Sequence, residues 1–238
     1  MIDLHCHILP TIDDGSRNIE QSIKMAKIAV KDGITQIVTT PHITDDQGLK
    51  QLIENKSLEL KLLLAEEHIP LKILTGGEIP VMMDPTMVHQ FSMNQNPYLL
   101  IELPHGFVPN STKDYLSKLK YNNFWPIIAH PERNQMIIEN PSILFDLLDS
   151  NIFVQVTAGS LTGMFGNEAK RCARFLVKKG VVTILASDAH DHEYRPPIMS
   201  AGLKVAKRLI GKLAANKLVN ENPLSIIKGE KIDGKDRL

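Results

Sequence analysis

The chain has 238 residues, with 27 Lys and Arg balanced by 27 Asp and Glu, so its formal net charge is zero. That length suits one compact domain over residues 1–238 with a substantial core, and α/β barrels of this size occur undivided. Zero charge supplies no global field to draw in nucleic acid or an anionic membrane, so specificity has to come from a local site. Cys6 and Cys172 are the only cysteines and make no disulfide framework. There is no basic-then-apolar leader pattern and no apolar run of the roughly 18 residues a spanning helix needs, so a soluble protein of the cytoplasm is expected, without a transmembrane segment.

Residues 2–7, Ile-Asp-Leu-His-Cys-His, read as a strand. Side chains alternate along a strand, which puts His5 and His7 on one face and Leu4 and Cys6 on the other. Asn18 with Gln21 three residues on resembles a capping box, and Ile19, Ile23, Ala26 and Val30 repeat at helical spacing until Gly33. Residues 34–39 form a second strand that stops at Thr40-Pro41-His42. Residues 49–67 are an amphipathic helix, and a short strand over 71–74 runs through Gly76-Gly77 into Glu78. Residues 80–96 have no legible periodicity beyond a short helix near 87–91.

A fourth strand, 98–101, ends in Glu102, and a fifth, 125–129, runs into His130-Pro131-Glu132-Arg133. The sixth, 152–156, ends at Gln155 and Thr157 with no obvious ligand, and the seventh, 181–186, ends in Ser187-Asp188-Ala189-His190. Helices over 112–119, 141–149 and 167–179 separate them, helices over 204–219 and 224–228 follow, and the polar tail 229–238 is expected to fray. Strand and helix alternating about seven times predict an α/β fold with a parallel sheet, whose active site lies at the C-terminal ends of the strands. His5, His7, His42, Glu78, Glu102, His130, Asp188 and His190 all fall there.

Imidazole and carboxylate without thiolate suit Mn, Fe or Zn, and there are too many candidates for one ion. Adjacent ions acidify a shared water and clamp phosphoryl oxygens, which equips such a cluster for phosphoester hydrolysis. The plain alternatives are that Asp13 and Asp14 are turn formers and His42 a loop residue, that His68 and His89 are structural or exposed, and that His105 and His192 merely lie near the mouth. A cysteine phosphatase needs an arginine six residues after its thiolate; Cys6 is followed there by Ile12 and Cys172 by Lys178. No phosphate-cradling Gly-x-x-x-x-Gly-Lys-Ser/Thr or Gly-x-Gly-x-x-Gly loop follows a strand, and the nucleophile turn Gly-x-Ser-x-Gly is absent.

Asp3-Leu4-His5-Cys6-His7, Ile12-Asp13-Asp14-Gly15, Thr40-Pro41-His42, Gly76-Gly77-Glu78, His130-Pro131-Glu132-Arg133, Ser187-Asp188-Ala189-His190 and Arg195-Pro196-Pro197, in that order, resemble the PHP (polymerase and histidinol phosphatase) superfamily. Within it they resemble the CpsB/YwqE-type tyrosine phosphatases of capsule and exopolysaccharide operons. The resemblance implies a distorted seven-stranded β/α barrel and a manganese-dependent cluster of three ions. It places His5, His7, Glu78 and Asp188 on one ion, Glu78 with Glu102 and His130 on a second, and Asp14, His42 and His190 on a third. Arg133 and Arg195 match the family's phosphate contacts, their fixed planar fork suiting phosphoryl oxygens; the plainer readings are a salt bridge to Glu132 and a loop brace. The implied substrate is phosphotyrosine on the tail of a bacterial tyrosine kinase, attacked by hydroxide held between two ions, with His190 or a bound water as candidate acid. A histidinol-phosphatase-like enzyme on the same metals and a non-catalytic, metal-holding regulator of the kinase are the rivals. The resemblance implies a longer, more aromatic segment after the Thr-Pro-His motif, whereas here Ile43-Thr44-Asp45-Asp46-Gln47-Gly48 is short and acidic.

Overall fold

The computed structural model describes residues 1–232. Its strands are β1 (Ile2–Cys6), β2 (Gln36–Thr39), β3 (Lys72–Thr75), β4 (Glu78–Pro80), β5 (Tyr98–Glu102), β6 (Trp125–Ile128), β7 (Phe153–Thr157) and β8 (Ile184–Ala186). All ladders are parallel, in one three-stranded sheet β1-β2-β3 and one five-stranded sheet β4-β5-β6-β7-β8. Isolated parallel bridges join the two sheets, Cys6 to Ala189 and His42 to Glu78.

Eight strands appear where seven were expected, because the third is cut at Gly76-Gly77. A Cβ on Gly76 would lie 2.9 Å from Val38 Cγ1, and one on Gly77 would lie 2.6 Å from Ile43, so both positions need glycine for close approach. The break lets β3 end in one sheet while β4 begins the other with Glu78 at its first position.

Helices α1 (Ile19–Lys31), α2 (Leu49–Glu66) and α3 (Thr112–Tyr121) are followed by the short α4 (Gln135–Glu139), α5 (Ser142–Leu147) and α6 (Ala158–Thr162), and then by α7 (Gly166–Lys178) and α8 (Ser200–Ile210). The predicted cap of α1 forms: Asn18 Oδ1 accepts from Gln21 N–H at 2.9 Å while Gln21 Oε1 accepts from Arg17 N–H at 2.7 Å. Beyond Gly211 (φ 84°) the chain continues as α9 (Lys212–Asn216), a π turn and α10 (Asn222–Lys228), so the single helix expected over 204–219 is broken at that glycine. The illegible stretch 80–96 holds two 3-10 helices, Val88–Phe91 and Met93–Gln95.

Strands bury both faces, as parallel strands covered by helices do. Leu99 and Ile101 join the helix-side core with Leu116, Ile137 and Leu176. Tyr98 and Leu100 face a second cluster that takes Leu4, Val38 and Leu74 from one sheet, Ile127, Phe153 and Ile184 from the other, and Ile226 and Ile227 from α10. On β1 the expected alternation fails. Leu4 lies in the second cluster and Cys6 in the first, because the β1-β2 register shifts between Asp3 and Cys6.

The tail expected to fray begins docked instead. Tyr98 Oη donates to Glu230 O at 2.8 Å and accepts from Ile232 N–H at 3.2 Å, and Ile232 is buried. Residues 233–238 of that tail lie outside the described residues. Among the described residues no helix is long and apolar enough to cross a membrane.

Candidate metal centre

His5 and His7 leave the end of β1 with their Nε2 atoms 3.1 Å apart. Each ring is aimed by its other nitrogen: His5 Nδ1 donates to Gln155 Oε1 at 3.1 Å and His7 Nδ1 to Asp13 Oδ2 at 2.6 Å. Those bonds fix the ring orientation and turn both Nε2 atoms inward. Gln155 also accepts the backbone N–H of His130 at 3.2 Å, and Asp13 that of His42 at 2.9 Å. Both aiming residues were missed as functional in the sequence, where Gln155 closes a strand without a ligand and Asp13 reads as a turn former.

Glu78, at the head of β4, stands in the middle. Its Oε2 is 3.2 Å from His5 Nε2, 3.3 Å from His7 Nε2 and 3.2 Å from His42 Nδ1, and its Oε1 is 2.8 Å from His130 Nε2. Glu102, at the end of β5, approaches His42 at 3.4 Å and His130 at 3.9 Å. Asp14 lies 3.5 Å from His42 Nε2 and 3.4 Å from His190 Nε2. Asp188 Oδ1 is 3.4 Å from His5 and 3.6 Å from His7, while its Oδ2 pairs with Arg133 at 2.6 Å and Arg195 at 2.9 Å.

All nine sequence-predicted ligands therefore converge, and both arginines meet them at Asp188. Their ligand atoms form four groups, each within 4.8 Å: His7, Asp14, His42 and His190; His5, His130 and Asp188; His5, His7 and Glu78; and His42, Glu78 and Glu102. This grouping differs from the expected partition, since His42 also joins the glutamates and His7 joins the Asp14 group. The donor set fits divalent cations on a direct observation: Glu78 Oε2 and Asp188 Oδ1 are buried and accept no hydrogen bond. Carboxylate oxygens sealed from water demand neutralisation, and oxygen and imidazole donors supply it best around a borderline to hard ion.

Electrostatics agree. Burial alone pushes the His5 imidazole down, but Glu78 and Asp188 outweigh it and hold it at about 9. His7 also reaches about 9, against burial, through Asp13 and Glu78. Such a pocket draws positive charge. His190 goes the other way, to about 3, through burial and the neighbouring His7 charge. Its Nδ1 donates to Asp188 O at 3.2 Å, so a neutral ring presents Nε2 towards Asp14. That is a ligand's orientation.

Two of the candidate ligands sit on strained backbone, His130 at φ 29° and Asp188 at φ 51°. The Asp188 turn is tied to β1: Asp188 N–H donates to His5 O at 2.8 Å, and Ser187 N–H to the buried Asp3 carboxylate at 2.9 Å. Glu132 does not pair with Arg133; its Oε1 accepts from Thr157 N–H at 2.9 Å and Ser160 Oγ–H at 2.6 Å. Arg195 stands on a turn braced by Asp191, whose carboxylate accepts from Glu193, Tyr194 and Arg195 N–H groups. The cluster opens into a cavity of about 830 Å³ that includes both arginines, His105 and Phe165. His68 and His89 are exposed, and His192 pairs with Glu193 at 3.4 Å.

Parallel strands whose C-terminal ends gather imidazoles and carboxylates beneath a guanidinium-lined mouth place the chain in the class of α/β proteins with a multi-ligand centre for divalent cations. More narrowly, it belongs to the capsular polysaccharide synthesis family CpsB/CapC, whose model matches residues 1–228. It is 39% identical over 201 residues to tyrosine-protein phosphatase YwqE of Bacillus subtilis, covering 82% of this chain and 79% of that protein. It is 29% identical over 250 residues to tyrosine-protein phosphatase CpsB of Streptococcus agalactiae, covering 98% of this chain and all (100%) of the relative. A crystal structure from work on YwqE of B. subtilis and CpsB of Streptococcus pneumoniae, described as unique metal-dependent tyrosine phosphatases, superposes with a TM-score of 0.92 at 34% identity, covering 98% of this chain and 96% of that one.

Proposed function

We propose that this chain is a metal-dependent protein-tyrosine phosphatase, a phosphomonoester hydrolase acting on the phosphotyrosine tail of a bacterial tyrosine kinase that governs capsular or exopolysaccharide synthesis. The observation that carries the reading is the two-sided use of Asp188: Oδ1 faces the imidazole cluster while Oδ2 holds Arg133 and Arg195 in the same cavity. Cation ligands and phosphate-type donors thus share one wall. The relatives with stated activities are tyrosine phosphatases, which favours this reading over a small-molecule phosphatase or a non-catalytic regulator.

Manganese is the proposed metal, in a cluster of up to three ions, with Fe or Zn as substitutes. His5, His7, Glu78 and Asp188 are assigned to the first position, Glu78, Glu102 and His130 to the second, and Asp14, His42 and His190 to the third. Bound there, the ions supply Lewis acidity and a nucleophile at neutral pH. The residues of the chain do the rest. Arg133 and Arg195 bind and orient the phosphate and offset charge on its oxygens, and Gln155 and Asp13 keep the His5 and His7 rings turned inward. A phenolate leaving group, with a phenol pKa of about 10, needs little help from an acid.

The two sheets, bridged at both seams, support a single domain working as one distorted (β/α)7-type barrel with β3 and β4 as one interrupted strand. A cytoplasmic location follows from a kinase-tail substrate. Turnover of a phosphotyrosyl peptide compared with histidinol phosphate tests the reading. A strong preference for the peptide is expected, and a preference for histidinol phosphate overturns it.

A further inference from the structure

Phe165 lies half-buried in the mouth of the cavity. The guanidinium carbon of Arg133 sits 4.7 Å from its ring centroid and that of Arg195 sits 5.4 Å from it. One aromatic ring thus touches both arginines, which come from turns more than sixty residues apart in sequence. A guanidinium within about 6 Å of a ring centroid is held by the ring quadrupole, and more firmly where water is excluded.

The backbone is shaped to deliver that ring. Gly163 at φ 106° and Gly166 at φ 91° flank it, both in the left-handed region that glycine adopts freely. A Cβ on Gly159 would lie 3.2 Å from Phe165 Cε2 and 2.9 Å from Met164 Sδ, so glycine at 159 leaves room for the ring and its neighbour. Ser160 Oγ and Thr157 N–H bind Glu132, which fastens the start of this segment to the turn that carries Arg133. The ring and the first arginine are therefore mounted on one braced unit.

Among the described residues the anionic group that pairs with both arginines is Asp188, through Oδ2. A cation on Oδ1 competes for the same carboxylate charge, and an incoming phosphate competes for the same guanidinium hydrogens. Arg195 also donates to Asp188 O at 3.2 Å, while the Phe165 ring gives both side chains a common hold that neither a cation nor a phosphate contests. We propose that Phe165 is the positioning residue for Arg133 and Arg195, holding the two guanidinium groups at the spacing that a single phosphoryl group needs. This rests on the reading of the two arginines as phosphate contacts.

The test uses the full-length protein and the variants Phe165→Leu and Phe165→Tyr, loaded with manganese for binding and turnover and with diamagnetic zinc for resonance measurements, with metal content measured for each. Arginine Nε–H resonances of Arg133 and Arg195, assigned with Arg→Lys variants, report the ring directly through its magnetic shielding. Both are expected to be displaced in the wild type and in Phe165→Tyr, and to revert in Phe165→Leu. Inorganic phosphate binding by calorimetry and KM for a phosphotyrosyl peptide are expected to weaken about fivefold to thirtyfold in Phe165→Leu, two contacts' worth at ordinary cation–π strength, with metal content unchanged and with recovery in Phe165→Tyr. Unchanged resonances in Phe165→Leu, or a Phe165→Tyr protein as impaired as the leucine variant, overturn the assignment of Phe165. If the resonances shift as described but the wild-type protein binds no phosphate, it is the phosphate-contact reading that fails.

Discussion

Asp13 Oδ2 accepts a hydrogen bond from His7 Nδ1–H at 2.6 Å and another from the backbone N–H of His42 at 2.9 Å. One carboxylate outside the ligand groups thereby orients the His7 imidazole and pins the backbone that carries His42. Burial opposes ionisation of Asp13, but the hydrogen bond and charge of His7 hold its carboxyl down at about 2. Partners of this kind raise metal affinity roughly 10–100-fold. Asp13→Ala is expected to weaken manganese binding by about that factor, read by calorimetric titration, with the fold retained by circular dichroism. An affinity equal to wild type contradicts the orienting role.

Asp188 and His190 carry a stronger expectation. Asp188→Ala removes a ligand and the shared partner of Arg133 and Arg195, and His190→Ala removes the neutral ring facing Asp14. Each variant is expected to lose hydrolysis of a phosphotyrosyl peptide to background while keeping wild-type circular dichroism. Wild-type turnover in either variant contradicts the placement of the centre.

Proton release offers a test without turnover. His5 and His7 are raised to about 9 from an ordinary imidazole value of 6.5, burial being outweighed by their carboxylate neighbours. Without metal, their attraction for Glu78, Asp188 and Asp13 stabilises the fold fully below pH 6.5 and is lost as pH rises through 9. Metal needs neutral imidazole, so loading displaces these protons and affinity climbs with pH up to about 9. Calorimetry at pH near 7 in buffers of different ionisation enthalpy is expected to show proton release on manganese binding. No release contradicts the involvement of His5 and His7.

Most of the candidate ligands were legible because they follow a strand with a plain signal, β-branched or apolar residues and then His, Glu or Asp; Asp14 lies in the turn beyond β1, and Glu78 opens β4. Parallel topology converts that linear recurrence into one cluster. What was illegible depends on distant packing. Nothing local to Gln155 shows that its carbonyl oxygen meets His5 across the sheet, and nothing near Phe165 points to arginines at 133 and 195. The Gly76-Gly77 pair looked like a turn leading out of a strand, while the crowding by Val38 and Ile43 that makes it a break between two sheets comes from elsewhere in the chain. The register shift inside β1 likewise depends on its partner β2. Tyr98 was read as a strand residue, and its hydroxyl proved to anchor residues 230 and 232 of a tail whose polarity suggested fraying.

Arginine geometry can be separated from arginine charge. Arg133→Lys keeps the cation near Asp188 but loses the planar fork and the contact with Phe165. KM for a phosphotyrosyl peptide is expected to rise about tenfold, the loss of one charge-assisted contact, with metal content unchanged. An unchanged KM shows that the guanidinium does not meet the substrate.

Metal content measured on the purified protein alongside a phosphotyrosine assay tests the central claim most directly. More than one ion per chain is expected, with activity lost on chelation and restored by manganese. Protein stripped of metal that still hydrolyses phosphotyrosine, or loaded protein that leaves it intact, contradicts the account.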